Sequence, residues 1–332
     1  MSGVAGATID VVVPSTRAGS LAALLECLGA GTRALPGRVL VVDDRRDRDA
    51  PLLAGGPPRA LQGMLEIVPG SARGPAAARN AGWRAGGGDW VAFLDDDVLP
   101  PLDWVDRLVA DLAAAAPDVG GVQGRVRVPM PGGRRPTDWE RNVAGLESAR
   151  WATADMAYRR AALVATGGFD ERFPRAYRED SDIGLRVEAA GWRIARGRRE
   201  VVHPIAPASP WVSVRRQAGN GDDVLMATLH GPHWRVAAGA PPGRRPRHAA
   251  IAAALALAAA GLALGHRRVA VLAGAAWLAG TMELAWARIA PGPRTAREVG
   301  LMLVTSAAIP PAASVHYARG LLTARSPWPS PR

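Results

Sequence analysis

Hydrophobic positions in the first two thirds of the chain come in short solid runs, separated by longer stretches with a helical repeat. "TIDVVVPS" (8–15), "RVLVVDD" (38–44), "LEIVPG" (65–70) and "WVAFLDDD" (90–97) are apolar blocks that stop abruptly at Pro, Gly, Ser or Asp. Between them, "GSLAALLECLGA" (19–30) and "GPAAARNAGWRAG" (74–86) place apolar residues at helical spacing. Strands with no polar alternation are covered on both faces, and strands separated by helices run parallel. The pattern therefore predicts an α/β fold with a mostly parallel sheet and helices on both faces. Ligands of such sheets bind outside the carboxyl ends of the strands. Two of those ends are acidic: Asp43 and Asp44 close one strand, and Asp95, Asp96 and Asp97 close another. Strand polarity sends both clusters to one crevice, where neighbouring carboxylates repel unless a cation or cationic ligand joins them.

Beyond about residue 235 the pattern changes. "GAPPGRRPRH" (239–248) reads as a linker, followed by "AAIAAALALAAAGLALG" (249–265), which has no charge. "VAVLAGAAWLAGTMELAWARIA" (269–290) has only Glu283 and Arg288, and "VGLMLVTSAAIPPAASV" (299–315) is apolar but contains Pro310-Pro311. Spanning a bilayer takes about 20 apolar residues, so the first run reads as short and the third as broken at its prolines. Arginines at 244–247 and 267–268 flank the first run and suit lipid headgroups. The expected organisation is a catalytic domain over 1–238, a linker over 239–248, an all-α hydrophobic membrane-associating region over 249–320 and a tail over 321–332. An Ala-rich soluble bundle, or a hairpin lying in one leaflet, is the competing reading.

At 332 residues, 48% hydrophobic and 21% charged, the chain is neither disordered nor wholly membrane-embedded. The net charge of +11 comes entirely from arginine, for the chain has no lysine. Such charge suits nucleic acid or an anionic membrane. No nucleic-acid-binding motif accompanies it and aromatics are only 5%, so no nucleic-acid partner is expected. The single cysteine, Cys27, excludes an intrachain disulfide and suits a reducing compartment. "MSGVAGATIDVVVPS" lacks the basic-then-apolar layout of a secretory signal, which places the front of the protein on the cytoplasmic side of a cell membrane.

"VVVPSTR", "VVDD", "GPAAARNAGW", "WVAFLDDDVLP", "TADMAYRRAAL", "GGFDERF" and "REDSDIGLRV" follow one another between residues 11 and 187. This succession resembles the family 2 glycosyltransferases, over roughly residues 8 to 235. The resemblance implies a GT-A fold, a nucleotide-sugar donor, Mn²⁺ or Mg²⁺, and inverting transfer to a hydroxyl acceptor. Asp95-Asp96-Asp97 matches the family's D-x-D. Asp95 and Asp96 then face the nucleotide side, while Asp97 and Asp95 are candidate metal ligands together with His203, 23 positions after Asp180. Hard oxygen donors suit such ions. Pro14, Thr16 and Arg17 match the first nucleotide-facing loop, Asp43 and Asp44 the base and ribose contacts, and Arg79, beside Asn80, the nucleotide side of A-R-N-x-G. Thr153 and Asp155 match a segment near the donor sugar. Asp180 is the expected catalytic base, with Glu179 in support, Asp182 as rival and Arg186 as an ion-pair partner of these acids. Asp170 and Glu171 read as structural.

Gln217 is followed by "AGNGD" rather than the Arg-Trp of processive members, so a non-processive enzyme is expected. Arg215 and Arg216 would reach the diphosphate if a Gly219–Gly221 loop closed as a lid. A glycan or lipid-linked acceptor from the cell envelope follows from the apolar tail. The rival functions are an inactive membrane-anchored sugar-nucleotide binder and a nucleotidyltransferase with a related sheet, a reading that leaves "REDSDIGLRV" without a task.

Overall fold

The computed structural model describes residues 7–324, apart from 34 and 36. The first strand β1 (Ile9–Ser15) leads into α1 (Ala18–Gly29), then β2 (Val39–Asp43), β3 (Leu65–Pro69), α2 (Pro75–Ala85), β4 (Trp90–Leu94) and α3 (Trp104–Ala113). There follow β5 (Val119–Arg127), α4 (Asp138–Ala144), β6 (Asp155–Arg159), α5 (Arg160–Thr166), α6 (Glu179–Ala189) and β7 (Arg193–Val202). The seven strands form one sheet in the order β3-β2-β1-β4-β6-β5-β7. The β3-β2-β1-β4 half is parallel, β6 runs antiparallel to both β4 and β5, and β7 returns parallel to β5.

Alternate residues of each buried strand feed opposite cores. Val11, Val13, Val39 and Val41 pack with Leu21, Leu25, Trp104 and Leu108 from α1 and α3. Val12, Leu40, Val42 and Phe93 pack with Ala76, Ala78 and Trp83 of α2 and with Ile183 and Val187 of α6. Burial on both faces explains why these strands read as solid apolar blocks. Gly82 lets α2 lie close on the sheet, since a Cβ there would meet the Val12 side chain at 2.3 Å.

After β7 come α7 (Val212–Arg215), α8 (Gly219–His230), α9 (Trp234–Ala237), α10 (Arg245–Ala263), α11 (Arg267–Ile289) and α12 (Ala296–Thr323). Three expectations change here. Gly219–Gly221 is the first turn of α8 and not a lid, because Gly219 lies against the Tyr177 ring and Gly221 against α12. Arg215 and Arg216 therefore have no closing loop to ride on. The expected linker ends early, with Arg245 to His248 already in the first turns of α10. Pro310 and Pro311 do not break the third run: α12 continues through them, with Ile309, Pro310 and Ala313 buried. Each proline costs a helical hydrogen bond, so packing along the helix, and not propensity, carries it past this point. Of the expected tail, residues 325–332 lie outside the described residues.

The helices α10, α11 and α12 are each long and apolar enough to cross a membrane. The first two form an antiparallel hairpin whose outer surface leaves Leu262 70% and Leu272 73% exposed, more apolar surface than water normally tolerates. By contrast, α12 is fastened to the catalytic unit along its length. Glu298 accepts from the Asp138 backbone N–H at 2.8 Å. In its middle, Thr305 and Ser306 accept from Arg288, which also donates to Asp138 and Ser213. Near its end, Gly320 meets Gly221 so closely that a Cβ would lie 2.8 Å from the opposing Cα.

Candidate active site

The carboxyl ends of β1, β2 and β4 face one rim of the sheet, as strand polarity requires. At β4, Asp95, Asp96 and Asp97 point in three directions and do three things. Asp96 is buried and accepts from the Ser15 hydroxyl at 2.6 Å, tying the end of β1 to the end of β4. Burial raises its pKa against the lowering effect of the Ser15 hydrogen bond. It anchors the first loop from inside rather than offering a carboxylate to a nucleotide, which corrects the expectation for this residue. Asp97 stays open: Arg17 donates to its Oδ2 at 3.1 Å, and His203 Nε2 lies 3.4 Å from its Oδ1. Asp95 gives Oδ1 to Arg79 at 2.7 Å, so its partner here is an arginine.

Asp97 and His203 fit a divalent ion. Two neighbouring donors about 2.1 Å from one ion lie about 3 Å apart, close to the separation seen. His203 Nδ1 donates to the Pro204 carbonyl at 3.1 Å, which leaves Nε2 its lone pair. Among the described residues no three His, Cys, Asp or Glu side chains surround a common point. The protein thus offers two donors, and a hard ion would complete its shell from diphosphate oxygens and water.

Arg79 is the hub of the rim. It is buried on α2 and donates to Asp95 on one side and to Glu179 Oε1, at 3.0 Å, on the other. The guanidinium also lies over the Phe169 ring at 5.6 Å. Arg79, expected on the nucleotide side, here couples the acids of β4 to those of α6. Beside it, Asn80 clamps the "GGFDERF" loop, donating to Phe169 O and Glu171 and accepting from the Phe169 N–H.

At the start of α6 the three acids separate by helical geometry. Glu179 is buried against Arg79, and burial together with Asp180 pushes its pKa up. Asp180 sits on the open side, with Oδ1 accepting from the Ser181 N–H at 2.6 Å. Burial raises its pKa, opposed by that hydrogen bond and by Arg79 and Arg178, with Asp95 adding to the rise. Asp182 is wholly buried, bonded to Arg186 at 2.5 Å and to His230 of α8 at 2.8 Å. Burial lifts its pKa, but His230 and Arg186 outweigh it and hold the group low. A carboxylate so enclosed is poorly placed to reach an acceptor hydroxyl, and Arg186 ties it to the Thr166 and Gly168 carbonyls, to which it also donates.

An open cleft of about 780 Å³ lies over the ends of β1 and β2, lined by Thr16, Asp44, Arg45, Arg73, Gly74 and Glu171 among others. Asp44 accepts from the Ala72 and Gly74 N–H groups, fixing the turn before α2. Asp43 is held by Arg45 at 2.8 Å, which keeps its pKa low. Pro14 lies beside Val42 in the sheet. Asp155 and Thr153 are buried, and Asp155 bonds Arg199 at 2.7 Å and Trp104 at 3.2 Å beneath the sheet. Asp155 therefore braces the fold and is not exposed to a sugar, another correction. Asp170 pairs with Arg172, the structural use expected. Glu171, read as structural, instead faces the cleft with Arg73 at 2.9 Å. Arg45, Arg73 and Ser15 join the site without having been singled out; "SARG" before the helix was the available signal for Arg73.

The family model described as Glycosyl transferase family 2 matches residues 10–180. The pre-mycofactocin glycosyltransferase of Mycobacterium tuberculosis is 31% identical over 135 residues, which are 37% of this chain and 28% of that protein. The chain thus spans little more than a quarter of that curated relative. Among solved structures, the mannosyltransferase PcManGT from Pyrobaculum calidifontis, in complex with GDP-Man and Mn²⁺, aligns with 94% of this chain and 87% of its own. Its TM-score is 0.53 at 21% identity, a likeness of fold. Glucosyl-3-phosphoglycerate synthase from M. tuberculosis, with Mn²⁺, UDP-Glc and phosphoglyceric acid, aligns with 72% of this chain and 82% of its own at TM-score 0.46 and 20% identity.

Proposed function

This chain belongs to glycosyl transferase family 2; from that premise we propose that it is a nucleotide-sugar-dependent glycosyltransferase, metal-dependent, inverting and non-processive, that adds one sugar to a membrane-held glycan or lipid-linked acceptor. The observation that carries the reading is the Asp95–Arg79–Glu179 bridge. It draws the strand-end acids and Asp180 onto one rim. The donor's nucleoside lies in the cleft between Thr16, Asp44 and Arg73, and its diphosphate points toward Asp97. Arg17, 59% exposed on its loop, swings from Asp97 to a phosphate oxygen. A divalent ion held by Asp97 and His203 would take up negative charge on the leaving diphosphate.

Asp180 removes the acceptor proton. As the hydroxyl oxygen bonds to the anomeric carbon from one face, the bond to the diphosphate breaks on the other. The nucleoside diphosphate leaves with that electron pair, and the configuration inverts. Burial keeps Asp180 more basic than an ordinary carboxylate, which improves it as a general base. Arg79 and Glu179 set its position without touching substrate.

Membrane attachment follows from the exposed apolar hairpin. We assign α10 and α11 to span the bilayer and α12 to lie along its surface, since both ends of α12 are fastened to the catalytic unit. Arg244, Arg245, Arg247 and Arg288 gather at the catalytic end of the hairpin, against Arg267 and Arg268 at its far turn. That asymmetry supports a cytoplasmic catalytic end. The test is nucleoside diphosphate release from UDP-, GDP- and dTDP-sugars, with and without Mn²⁺ and after chelation. One donor should release product only with the metal. Release from none, or undiminished release after chelation, overturns the metal-dependent reading.

A further inference from the structure

Between the catalytic unit and the C-terminal helices lies a chamber of about 1020 Å³, separate from the donor cleft. Its walls carry Arg178, Arg216, Arg235, Arg244, Arg245 and Arg288. The acids among the lining residues are Asp138 and Asp223, and both are taken. Asp223 pairs with Arg178 and Arg235, and Asp138 with Arg288. Arg216 faces the Trp139 ring at 5.8 Å, and Arg245 the Tyr317 ring at 4.6 Å. Among the described residues neither has a carboxylate within ion-pair distance. Arg244 pairs with Glu283 at 3.5 Å, which leaves Arg216 and Arg245 as the two wall guanidiniums without a carboxylate; two such groups in one chamber suit an anion, and their planar fork matches phosphate.

Two further features say which anion. Beside Arg288 and Tyr317, α11 and α12 contribute Leu284, Ala287, Ile309 and Leu321 to the lining, which gives a hydrocarbon part of the ligand something to lie against. The near wall includes Tyr177 and Arg178, immediately before the catalytic helix. Arg178 caps α6 at φ 77°, a left-handed conformation that is strained for a non-glycine residue. Its guanidinium is wedged between the Tyr177 and Trp234 rings at 4.3 and 4.8 Å. Asp180 follows two residues later. The chamber therefore runs from the C-terminal helices to Arg178, two residues before Asp180.

We propose that this chamber holds the phosphate or diphosphate headgroup of a lipid acceptor, with its hydrocarbon along α11 and α12 and its sugar-accepting hydroxyl carried toward Asp180. The proposal rests on the transferase reading above and supplies its acceptor class.

The test uses the full chain in neutral phosphatidylcholine nanodiscs, with dioleoyl phosphatidic acid as probe. Direct lipid binding is measured for wild type, the double variant Arg216→Gln/Arg245→Gln and the far-turn control Arg267→Gln/Arg268→Gln. The chamber predicts at least a tenfold loss in the first double variant and under twofold in the control. Recovery with Arg216→Lys/Arg245→Lys, and intact nucleotide-sugar binding throughout, would separate lost charge from misfolding. Unchanged lipid binding in Arg216→Gln/Arg245→Gln overturns the proposal. So does equal binding of dioleoylglycerol, which lacks the phosphate, or full displacement by inorganic pyrophosphate, which would make this a site for soluble anions. Loss of nucleotide-sugar binding in the same variant also overturns it, by placing the chamber in the donor site. Lipid binding is read without turnover, so its selective loss supports the chamber even in a preparation that transfers no sugar. A preparation that transfers sugar while the Gln variant binds lipid normally overturns the chamber alone.

Discussion

Asp180 has a raised pKa because burial disfavours its charged form, and this has consequences of opposite sign for activity and stability. As a base it works ionised, so activity rises with pH through its folded-state pKa, and the acid limb of kcat should lie above the ordinary carboxylate range. In stability the folded state binds the proton more tightly than the unfolded chain. The contribution is favourable at low pH and is lost as pH rises from the unfolded to the folded pKa. Asp180→Asn should therefore lower kcat by roughly 10²–10⁴-fold with donor binding retained. It should also melt no lower than wild type at pH 7 while losing that advantage near pH 4, as seen by thermal denaturation across pH. A mutant with wild-type kcat would remove Asp180 from the mechanism. Arg79→Met leaves Glu179 and Asp95 without their shared partner, and breaking one side of a buried ion pair costs about 3–5 kcal/mol. A clear fall in melting temperature checks this, and little change would mean the bridge is dispensable. Strand polarity was enough to send Asp43–Asp44 and Asp95–Asp97 to one rim, whereas Glu179 and Asp180, at the start of a helix, were expected there only from the family resemblance. The resemblance favoured Asp180 over Asp182, and no periodicity gives a reason: residues two apart on a helix face opposite sides, and it is the packing of α6 against α8 that encloses Asp182 with His230. Arg79 was legible as polar and near the site, yet its role joins residues 16 and 100 positions away. No local pattern carries such a link.

At the scale of elements, the solid apolar strands and the helices between them were readable from periodicity. Besides the early start of α10, two departures came from helices fixed by what they touch. "AGNGDD" has the glycines of a mobile loop, but at 219 and 221 they serve close packing on Tyr177 and α12. Pro310-Pro311 has the look of a break, but the buried flank of α12 holds the helix through it. The Gly221–Gly320 contact gives a direct check. A side chain at Gly320 meets backbone, which cannot yield as a side-chain tip does, so Gly320→Leu should destabilise the docking of α12 by about 1–3 kcal/mol. Faster limited proteolysis between 290 and 324 would report it. Unaltered proteolysis and melting would mean that α12 is not seated here.

For the whole molecule, the assignment of α12 to the membrane surface makes a geometric prediction. Val304, Val315 and Leu322 are exposed at 55%, 49% and 72% and fall on one face of α12. Eighteen residues separate the first from the last, a rise of about 27 Å along the helix. Spin labels at these sites, in a Cys27→Ser background, should report one shallow depth in the bilayer if the helix lies flat. A steady gradient of depth from 304 to 322 would mean that α12 spans and that the present reading of the membrane region is wrong.

A helix clamped to the catalytic unit at both ends also works as a ruler. With α12 resting on the lipid surface, Asp180 stands at a constant height above it, and no closing loop is there to adjust that height. An acceptor that lengthened with every addition would carry its growing end past the base after a single step. The clamp therefore favours decorating each molecule once over building a polymer, and does so by rigid geometry.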